Sequence, residues 1–85
     1  MHTVYALYSQ NFKKIYIGCT SDIEKRLVSH NLLATKGWTI RFRPWILIYS
    51  EVFQSKTDAL KRERELKSAK GRDFIWNLIH NRQQK

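Results

Sequence analysis

Two short apolar stretches near the start of the chain decide its fold: Thr-Val-Tyr-Ala-Leu-Tyr-Ser at residues 3–9 and Lys-Ile-Tyr-Ile-Gly-Cys at residues 14–19. Both are rich in β-branched and aromatic residues, a composition typical of β-strands. The polar segment between them, residues 10–13, is short enough to join two antiparallel strands as a hairpin. Because side chains alternate between the faces of a strand, a connection with an even number of residues would place Tyr5 and Tyr16 on one face.

A helix is predicted directly after the hairpin. Ser21 and Glu24 have the spacing of a capping box, and the helical pattern runs to about Leu33. Within this helix Arg26 and His30 are neighbours at positions i and i+4. A permanent cation and an imidazole therefore follow the two tyrosine-bearing strands. The alternatives are cross-strand packing of the tyrosines, an i,i+4 ion pair between Arg26 and Asp22, and a satisfied structural histidine.

The middle of the chain predicts a basic, aromatic connection and a third strand. The connection covers residues 34–44, and Pro44 disfavours helix at Arg43. Residues 45–53 are almost continuously apolar, which predicts a strand in a central position that is covered on both faces.

Two further helices complete the predicted fold. The second helix starts at Ser55 or Thr57 and runs to about residue 69, with Gly71 as its C′ residue. The third covers about residues 73–81, and residues 82–85 are expected to fray. The order β-β-α-β-α-α describes a single α+β domain over residues 1–85, with helices packed on a three-stranded sheet.

Charge and composition restrict the function classes. The 85 residues carry 16 Lys and Arg against seven Asp and Glu, a formal net charge of +9. Such an excess in a small domain indicates a polyanionic partner, although a merely solvated basic surface is the alternative. One cysteine, Cys19, and no signal peptide indicate a cytoplasmic setting. No apolar run approaches the ~20 residues of a membrane span.

The second predicted helix contains a carboxylate that a core does not tolerate without a partner. On the helical wheel Glu63 lies in the apolar stripe, whereas Glu65 lies among basic residues on the outer face. Glu63 must therefore reach a cation, a metal ion or a solvated cleft. The simplest alternative is an i,i+4 ion pair with Lys67.

Four segments in this order resemble the GIY-YIG endonuclease family over nearly the whole chain. Val4-Tyr5-Ala6 retains the tyrosine of the first half-motif, and Tyr16-Ile17-Gly18 reproduces the second. Arg26 and His30 match the family's arginine followed four positions later by tyrosine or histidine. Glu63 matches its glutamate four residues after an alanine. The chain is most similar to the small stand-alone bacterial members, which are related to the N-terminal domain of a bacterial excinuclease.

The resemblance implies a divalent-metal-dependent endonuclease that hydrolyses phosphodiester bonds. Glu63 would hold one Mg²⁺ or Mn²⁺, and Tyr5 would accept a proton from the attacking water. Tyr16 would orient water or phosphate, and Arg26 would stabilise the charge on phosphorus. His30 would donate to phosphate or assist the proton relay. The alternative is a nucleic-acid-binding module with the same fold and little or no activity, because the first motif keeps only its tyrosine.

The expected partner is nucleic acid, with DNA favoured over RNA and a role in repair or recombination. A protein partner for targeting is possible, and the oligomeric state is open. In the connection, cations alternate with aromatic side chains that can stack on bases, although the segment can equally be a lid packed on the core. The residues expected to contact nucleic acid are Gly18, Lys36, Trp38, Arg41, Arg43 and Lys67.

Overall fold

The computed structural model describes residues 1–83, and its elements follow the predicted order. The strands are β1 (His2–Ser9), β2 (Lys14–Thr20) and β3 (Ile46–Phe53), and the α-helices are α1 (Ile23–Val28), α2 (Lys56–Lys67) and α3 (Ala69–Gln83). A turn of π-helix, Ser29–Leu33, extends α1, and a 3₁₀ helix, Trp38–Phe42, lies in the connection to β3. The predicted α+β fold with a three-stranded antiparallel sheet is therefore confirmed.

The hairpin has the register that brings the two tyrosines together. Its connection has four residues, an even number, and Tyr5 pairs with Gly18 while Leu7 pairs with Tyr16. Because Tyr5 and Leu7 are two residues apart, the two tyrosines project from the same face. Their ring centroids lie 6.2 Å apart.

The central strand is β1, not β3. The strand order is β2-β1-β3, so the prediction that residues 45–53 form a central strand is wrong. Every residue of β1 from Val4 to Ser9 is buried, whereas no residue of β3 is fully buried. An apolar run does not show which strands lie beside it, and β3 is an edge strand with a paired strand on one side only.

Helices cover the two faces of the sheet and divide the core in two. On one face α2 and α3 pack against alternate residues of β1 and β2; this cluster comprises Val4, Ala6, Tyr8, Ile15, Ile17, Ala59, Leu66, Ile75 and Ile79. On the other face Tyr5, Leu7 and Trp45 are buried beneath α1 and the 3₁₀ helix. In the described part of the chain no helix combines the length and the apolarity needed to cross a bilayer.

Three helix boundaries differ from the prediction: the start of α1, the end of α2 and the start of α3, which begins at Ala69 and not at about residue 73. The N-cap of α1 is Asp22 rather than Ser21, since its carboxylate accepts the backbone N–H of Lys25 at 3.1 Å. Gly71 is not a C′ residue, because α2 ends at Lys67 and Gly71 lies inside α3.

The break between α2 and α3 is at Ser68. Its hydroxyl accepts the backbone N–H of Gly71 at 3.2 Å and so caps the start of α3. A Cβ on Gly71 would overlap the backbone of Glu65 and Leu66, so glycine allows α3 to cross close to the end of α2. Helix α3 continues to Gln83, and the part of the fraying prediction that concerns residues 84 and 85 lies outside the described residues.

Candidate active site

Four of the five predicted catalytic residues meet on the α1 face of the sheet. Tyr5 comes from the central strand and Tyr16 from β2, while Arg26 and His30 project from α1 and its π-helical extension. The His30 ring lies 4.9 Å from the Tyr16 ring and 6.0 Å from the Tyr5 ring, measured between centroids. The i,i+4 spacing that the sequence showed on the helix therefore places both side chains above the two tyrosines.

The Tyr5 hydroxyl is the centre of this cluster. It accepts a hydrogen bond from Arg26 Nε at 3.3 Å and lies 3.0 Å from His30 Nε2. Tyr5 has no exposed surface, and this burial, opposed by the hydrogen bond from Arg26, raises its pKa to about 12. The phenol is therefore neutral near pH 7. Arg26 remains charged, because its hydrogen bond to Tyr5 raises the pKa of the guanidinium.

Gly18 makes room for the Tyr5 side chain. It is the cross-strand partner of Tyr5, and a Cβ added at this position would lie 2.6 Å from the Tyr5 hydroxyl oxygen. The same Cβ would approach the Tyr16 ring at 3.1 Å. The glycine of the Tyr-Ile-Gly motif thus sets the position of both tyrosines, and direct contact of Gly18 with nucleic acid stays a prediction.

His30 is buried, and it is tied to a residue that the sequence did not identify. Its Nδ1 lies 3.0 Å from the hydroxyl oxygen of Thr39, in the 3₁₀ helix. Burial lowers the pKa of His30 below 6.5, and the charges of Arg26 and Arg43 lower it further. The imidazole is therefore neutral near pH 7. Nothing in the sequence pattern distinguished Thr39 from the rest of the connection, since the fold alone brings it to His30.

A cavity of about 330 Å³ opens beside the cluster. Its lining residues are Tyr16, Arg26, Ser29, His30, Ala34, Lys36, Gly37, Trp38 and Thr39. Trp38 retains 46% of its surface exposed and lies nearly parallel to the Tyr16 ring, with centroids 6.4 Å apart. The basic aromatic connection thus contributes a cation, Lys36, and a half-exposed aromatic ring to the cluster, and that ring also packs against Phe42 and Trp45.

The two arginines of the connection lie outside this lining. Arg41 is exposed, with its guanidinium 6.0 Å from the centroid of Phe42. Arg43 donates to three backbone carbonyls at the end of the π-helical turn, those of Ser29, His30 and Ala34. Arg43 thus stabilises the backbone that carries His30, and contact of either arginine with nucleic acid stays a prediction.

Glu63 lies apart from the four-residue cluster. It is on α2, which packs on the opposite face of the sheet, and it lines a separate cavity of about 230 Å³ with Leu60, Arg64 and Lys67. Its side chain is 18% exposed, against 54% for Glu65, as the helical wheel predicted. Lys67 Nζ lies 3.0 Å from Glu63 Oε2, so the predicted ion pair is present.

The charge of Glu63 nevertheless reaches the tyrosine end of the sheet. Burial raises the pKa of Cys19, and the Glu63 carboxylate raises it further. The same carboxylate makes the smallest of the contributions to the pKa of Tyr5. Glu63 therefore acts electrostatically on β1 and β2 near Gly18, although it shares no cavity with Arg26 or His30.

The donor set suits an ion that needs few protein ligands. Within residues 1–83, no group of three or more His, Cys, Asp and Glu side chains could hold a metal ion. Zinc is therefore a poor fit, because it usually takes three or four protein ligands. Magnesium keeps several waters and is often bound by one or two carboxylates plus a substrate phosphate. A lone, half-buried Glu63 fits that pattern.

The sequence model of the GIY-YIG catalytic domain matches residues 1–77. The chain belongs to the GIY-YIG family. The match covers β1, β2, α1, β3 and α2, and with them all of the predicted catalytic residues. The resemblance inferred from the two tyrosine motifs, Arg26, His30 and Glu63 is thus confirmed for the family, and the role of each residue stays a prediction.

The chain is similar to several bacterial UPF0213 proteins. A UPF0213 protein of Staphylococcus haemolyticus is 36% identical over 67 residues, which cover 79% of this chain and 80% of the relative. A UPF0213 protein of Staphylococcus saprophyticus is 44% identical over 54 residues, 64% of this chain and 66% of the relative. The solution NMR structure of a UPF0213 protein of Bacillus halodurans superposes with a TM-score of 0.54 at 28% identity, over 91% of this chain and 83% of that one.

Proposed function

We propose that this protein is an endonuclease that hydrolyses phosphodiester bonds of nucleic acid, with DNA favoured over RNA, and that it requires Mg²⁺ or Mn²⁺. One observation carries the proposal. The Tyr5 hydroxyl is held between Arg26 Nε and His30 Nε2, next to a cavity lined by cations and aromatic rings. This arrangement joins a proton-accepting chain to a binding site for an anion, the two elements that phosphodiester hydrolysis requires.

Tyr5 is the proposed acceptor of the proton from the attacking water. With its pKa raised to about 12, the phenol first has to lose its own proton. His30 Nε2 is the acceptor within reach, at 3.0 Å. The lowered pKa of His30 leaves the imidazole neutral and able to accept a proton. Arg26 then stabilises the resulting phenolate through its Nε.

Arg26 also stabilises the phosphate. It is an exposed residue that lines the cavity, so a ligand in the cavity can reach its guanidinium. Negative charge develops on the phosphoryl oxygens in the transition state, and a fixed cation with several donors lowers its energy. Tyr16 and Lys36 line the same cavity and would orient water and phosphate.

Glu63 is the proposed ligand of the divalent ion. Its carboxylate is half-buried and paired with Lys67, a more exposed cation that a metal ion can displace. When bound, Mg²⁺ or Mn²⁺ would supply Lewis-acid stabilisation of charge on the leaving oxygen. Together with Lys67, the cations of the connection and Trp38 would extend the nucleic-acid path beyond the cavity. The proposed setting is DNA repair or recombination in the cytoplasm, with a protein partner for targeting.

A second candidate function is nucleic-acid binding without cleavage. The ion pair between Glu63 and Lys67 and the raised pKa of Tyr5 favour it, because both hold the proposed catalytic groups in inactive forms. Binding would then depend on the net charge of +9 and weaken steeply with salt.

Cleavage of plasmid and branched DNA in Mg²⁺, Mn²⁺ or chelator distinguishes the two functions. The proposal expects the wild type to cut only with the metal, and Glu63→Ala to reduce the rate to background. Glu65→Ala is the matched control: it removes the same charge from the exposed side of α2 and should leave the rate unchanged. Equal rates for all three proteins contradict the proposal. Salt-sensitive binding without cutting supports the second candidate.

A further inference from the structure

The hydrogen-bonded chain that begins at Arg26 does not end at His30. It continues from His30 Nδ1 to the Thr39 hydroxyl, 3.0 Å away. Thr39 is only 8% exposed, and its backbone carbonyl accepts the indole N–H of Trp45 at 2.8 Å. The 3₁₀ helix thus fixes this hydroxyl on the far side of the imidazole from Tyr5.

A count of donors and acceptors favours one direction for the chain. Arg26 Nε carries a hydrogen and no lone pair, so it donates to the Tyr5 oxygen. If the Tyr5 oxygen also accepted a hydrogen bond from His30 Nε2, the hydrogen of this buried hydroxyl would have no acceptor among these groups. The arrangement that pairs every hydrogen has His30 Nε2 accepting from Tyr5, with the His30 hydrogen on Nδ1 and donated to the Thr39 oxygen.

If the proton relay stopped at His30, it would leave a charged imidazolium in a buried position. The ring is 5% exposed, and both Arg26 and Arg43 already disfavour a positive charge on it. The proton that leaves Tyr5 therefore needs an exit beyond the imidazole. Thr39 provides one, because a hydroxyl accepts and donates at once and because Thr39 lines the 330 Å³ cavity.

We propose that Thr39 is a positioning residue that completes a proton relay from Tyr5 to the cavity. The Tyr5 proton moves to His30 Nε2, the Nδ1 proton moves to the Thr39 oxygen, and the hydroxyl proton of Thr39 passes to a water in the cavity. His30 ends neutral as the opposite tautomer, with its Nε2–H donating to the Tyr5 phenolate. No charge is left on the imidazole, and one phenolate and one hydronium are formed. The relay rests on the proposed function, in which Tyr5 is the base.

The test compares Thr39→Val, which keeps the shape but removes the hydroxyl, with Thr39→Ser, which keeps the hydroxyl. Nitrogen-15 NMR reports which ring nitrogen of a histidine carries hydrogen, and the His30 signals are identified by their loss in His30→Gln. We expect wild type and Thr39→Ser to show hydrogen on Nδ1. In Thr39→Val the population should shift towards hydrogen on Nε2, because Nδ1–H loses its acceptor.

Kinetics supply the second readout. We expect Thr39→Val to lower kcat by about 10²-fold, the lower end of what general acid–base catalysis contributes, with little change in KM. Thr39→Ser should restore kcat. If Thr39 were merely structural, the loss of kcat in Thr39→Val would be accompanied by a corresponding loss of thermal stability.

Retention of the Nδ1 hydrogen and of kcat in Thr39→Val would overturn the inference, as would a Thr39→Ser variant as defective as Thr39→Val. If the wild type does not cut DNA, the proposed function fails on its own. The NMR comparison then still decides whether Thr39 sets the proton position on His30.

Discussion

The two faces of the sheet bury different kinds of side chain, although both draw on the same central strand. Towards α2 and α3, β1 presents Val4, Ala6 and Tyr8 to a core that is almost entirely apolar. Towards α1, the alternate positions present Tyr5 and Leu7, and the groups buried there include His30 and Thr39. The α2–α3 face thus buries mainly apolar side chains, whereas the α1 face buries a chain of hydrogen-bonded groups beside its apolar side chains.

This difference separates stability from chemistry. Burial of apolar surface stabilises the fold by about 25 cal/mol per Å² whatever the orientation of the groups. Buried polar groups stabilise little in net terms and are costly when a partner is lost, so they require fixed positions. Fixed positions are also what a catalytic site requires. We infer that the α2–α3 face mainly holds the sheet, whereas the α1 face holds the groups proposed for proton transfer and phosphate binding. Glu63, the proposed metal ligand on α2, is the exception.

Tyr5→Phe should produce the largest effect, and the loss of activity should far exceed the loss of stability. Under the proposed function the cleavage rate falls by about 10²–10⁴-fold, because the proton acceptor is removed. The free energy of unfolding should fall by about 1–3 kcal/mol, because the buried His30 Nε2 loses its hydrogen-bond partner. Tyr8→Phe, on the other face of β1, is the control and should keep its cleavage rate. Equal rates for the two variants would show that the faces are not divided in this way.

Ile75→Ala should have the opposite pattern. Ile75 is completely buried in the α2–α3 face, and truncation of such a residue costs about 2–5 kcal/mol of stability. The cleavage rate per folded molecule should stay unchanged. Urea denaturation measures the loss, with Ile46→Ala as the control, since Ile46 is 44% exposed. Comparable losses at the two isoleucines would contradict the assignment of stability to this core.

Acid should weaken the α1 face through His30, with the smallest effect of the three. The pKa of His30 is lowered in the folded protein by burial and by Arg26 and Arg43, so below pH 6.5 the unfolded chain binds a proton that the folded protein excludes. The contribution of His30 to the free energy of unfolding is then fully present above pH 6.5. It decreases from pH 6.5 down to the pKa of His30 in the folded protein, by at most ~1.4 kcal/mol per pH unit for one proton.

Unfolding free energies at pH 7 and pH 5 measure this contribution as the difference between wild type and His30→Asn. The variant should lose less stability than the wild type over that interval. His80→Asn, at an exposed position, should behave as the wild type does. A loss that is the same in wild type and in His30→Asn would exclude His30 as the group responsible.

Much of this fold is predictable because its signals are local. Alternation and loop length predict the hairpin, the element order and the position of Tyr5 and Tyr16 on the same face of the sheet. The position of β3 and the role of Gly71 were predicted wrongly, because both depend on packing. An apolar run does not reveal which strand lies beside it, and a glycine does not reveal which backbone it approaches.

The sequence by itself determined the fold class, the family and the set of polar groups on β1, β2, α1 and α2, since these depend on composition and short-range spacing. Only the tertiary structure placed Thr39 against His30. The connection after the π-helical turn has no periodic pattern, so the sequence does not show how the chain returns to α1. The i,i+4 spacing had already offered Lys67 as the partner of Glu63, but only the tertiary structure placed this pair on the other side of the sheet from the cluster of Tyr5, Arg26 and His30. Contacts between distant elements are set by how the helices pack on the sheet, and no local pattern records that packing.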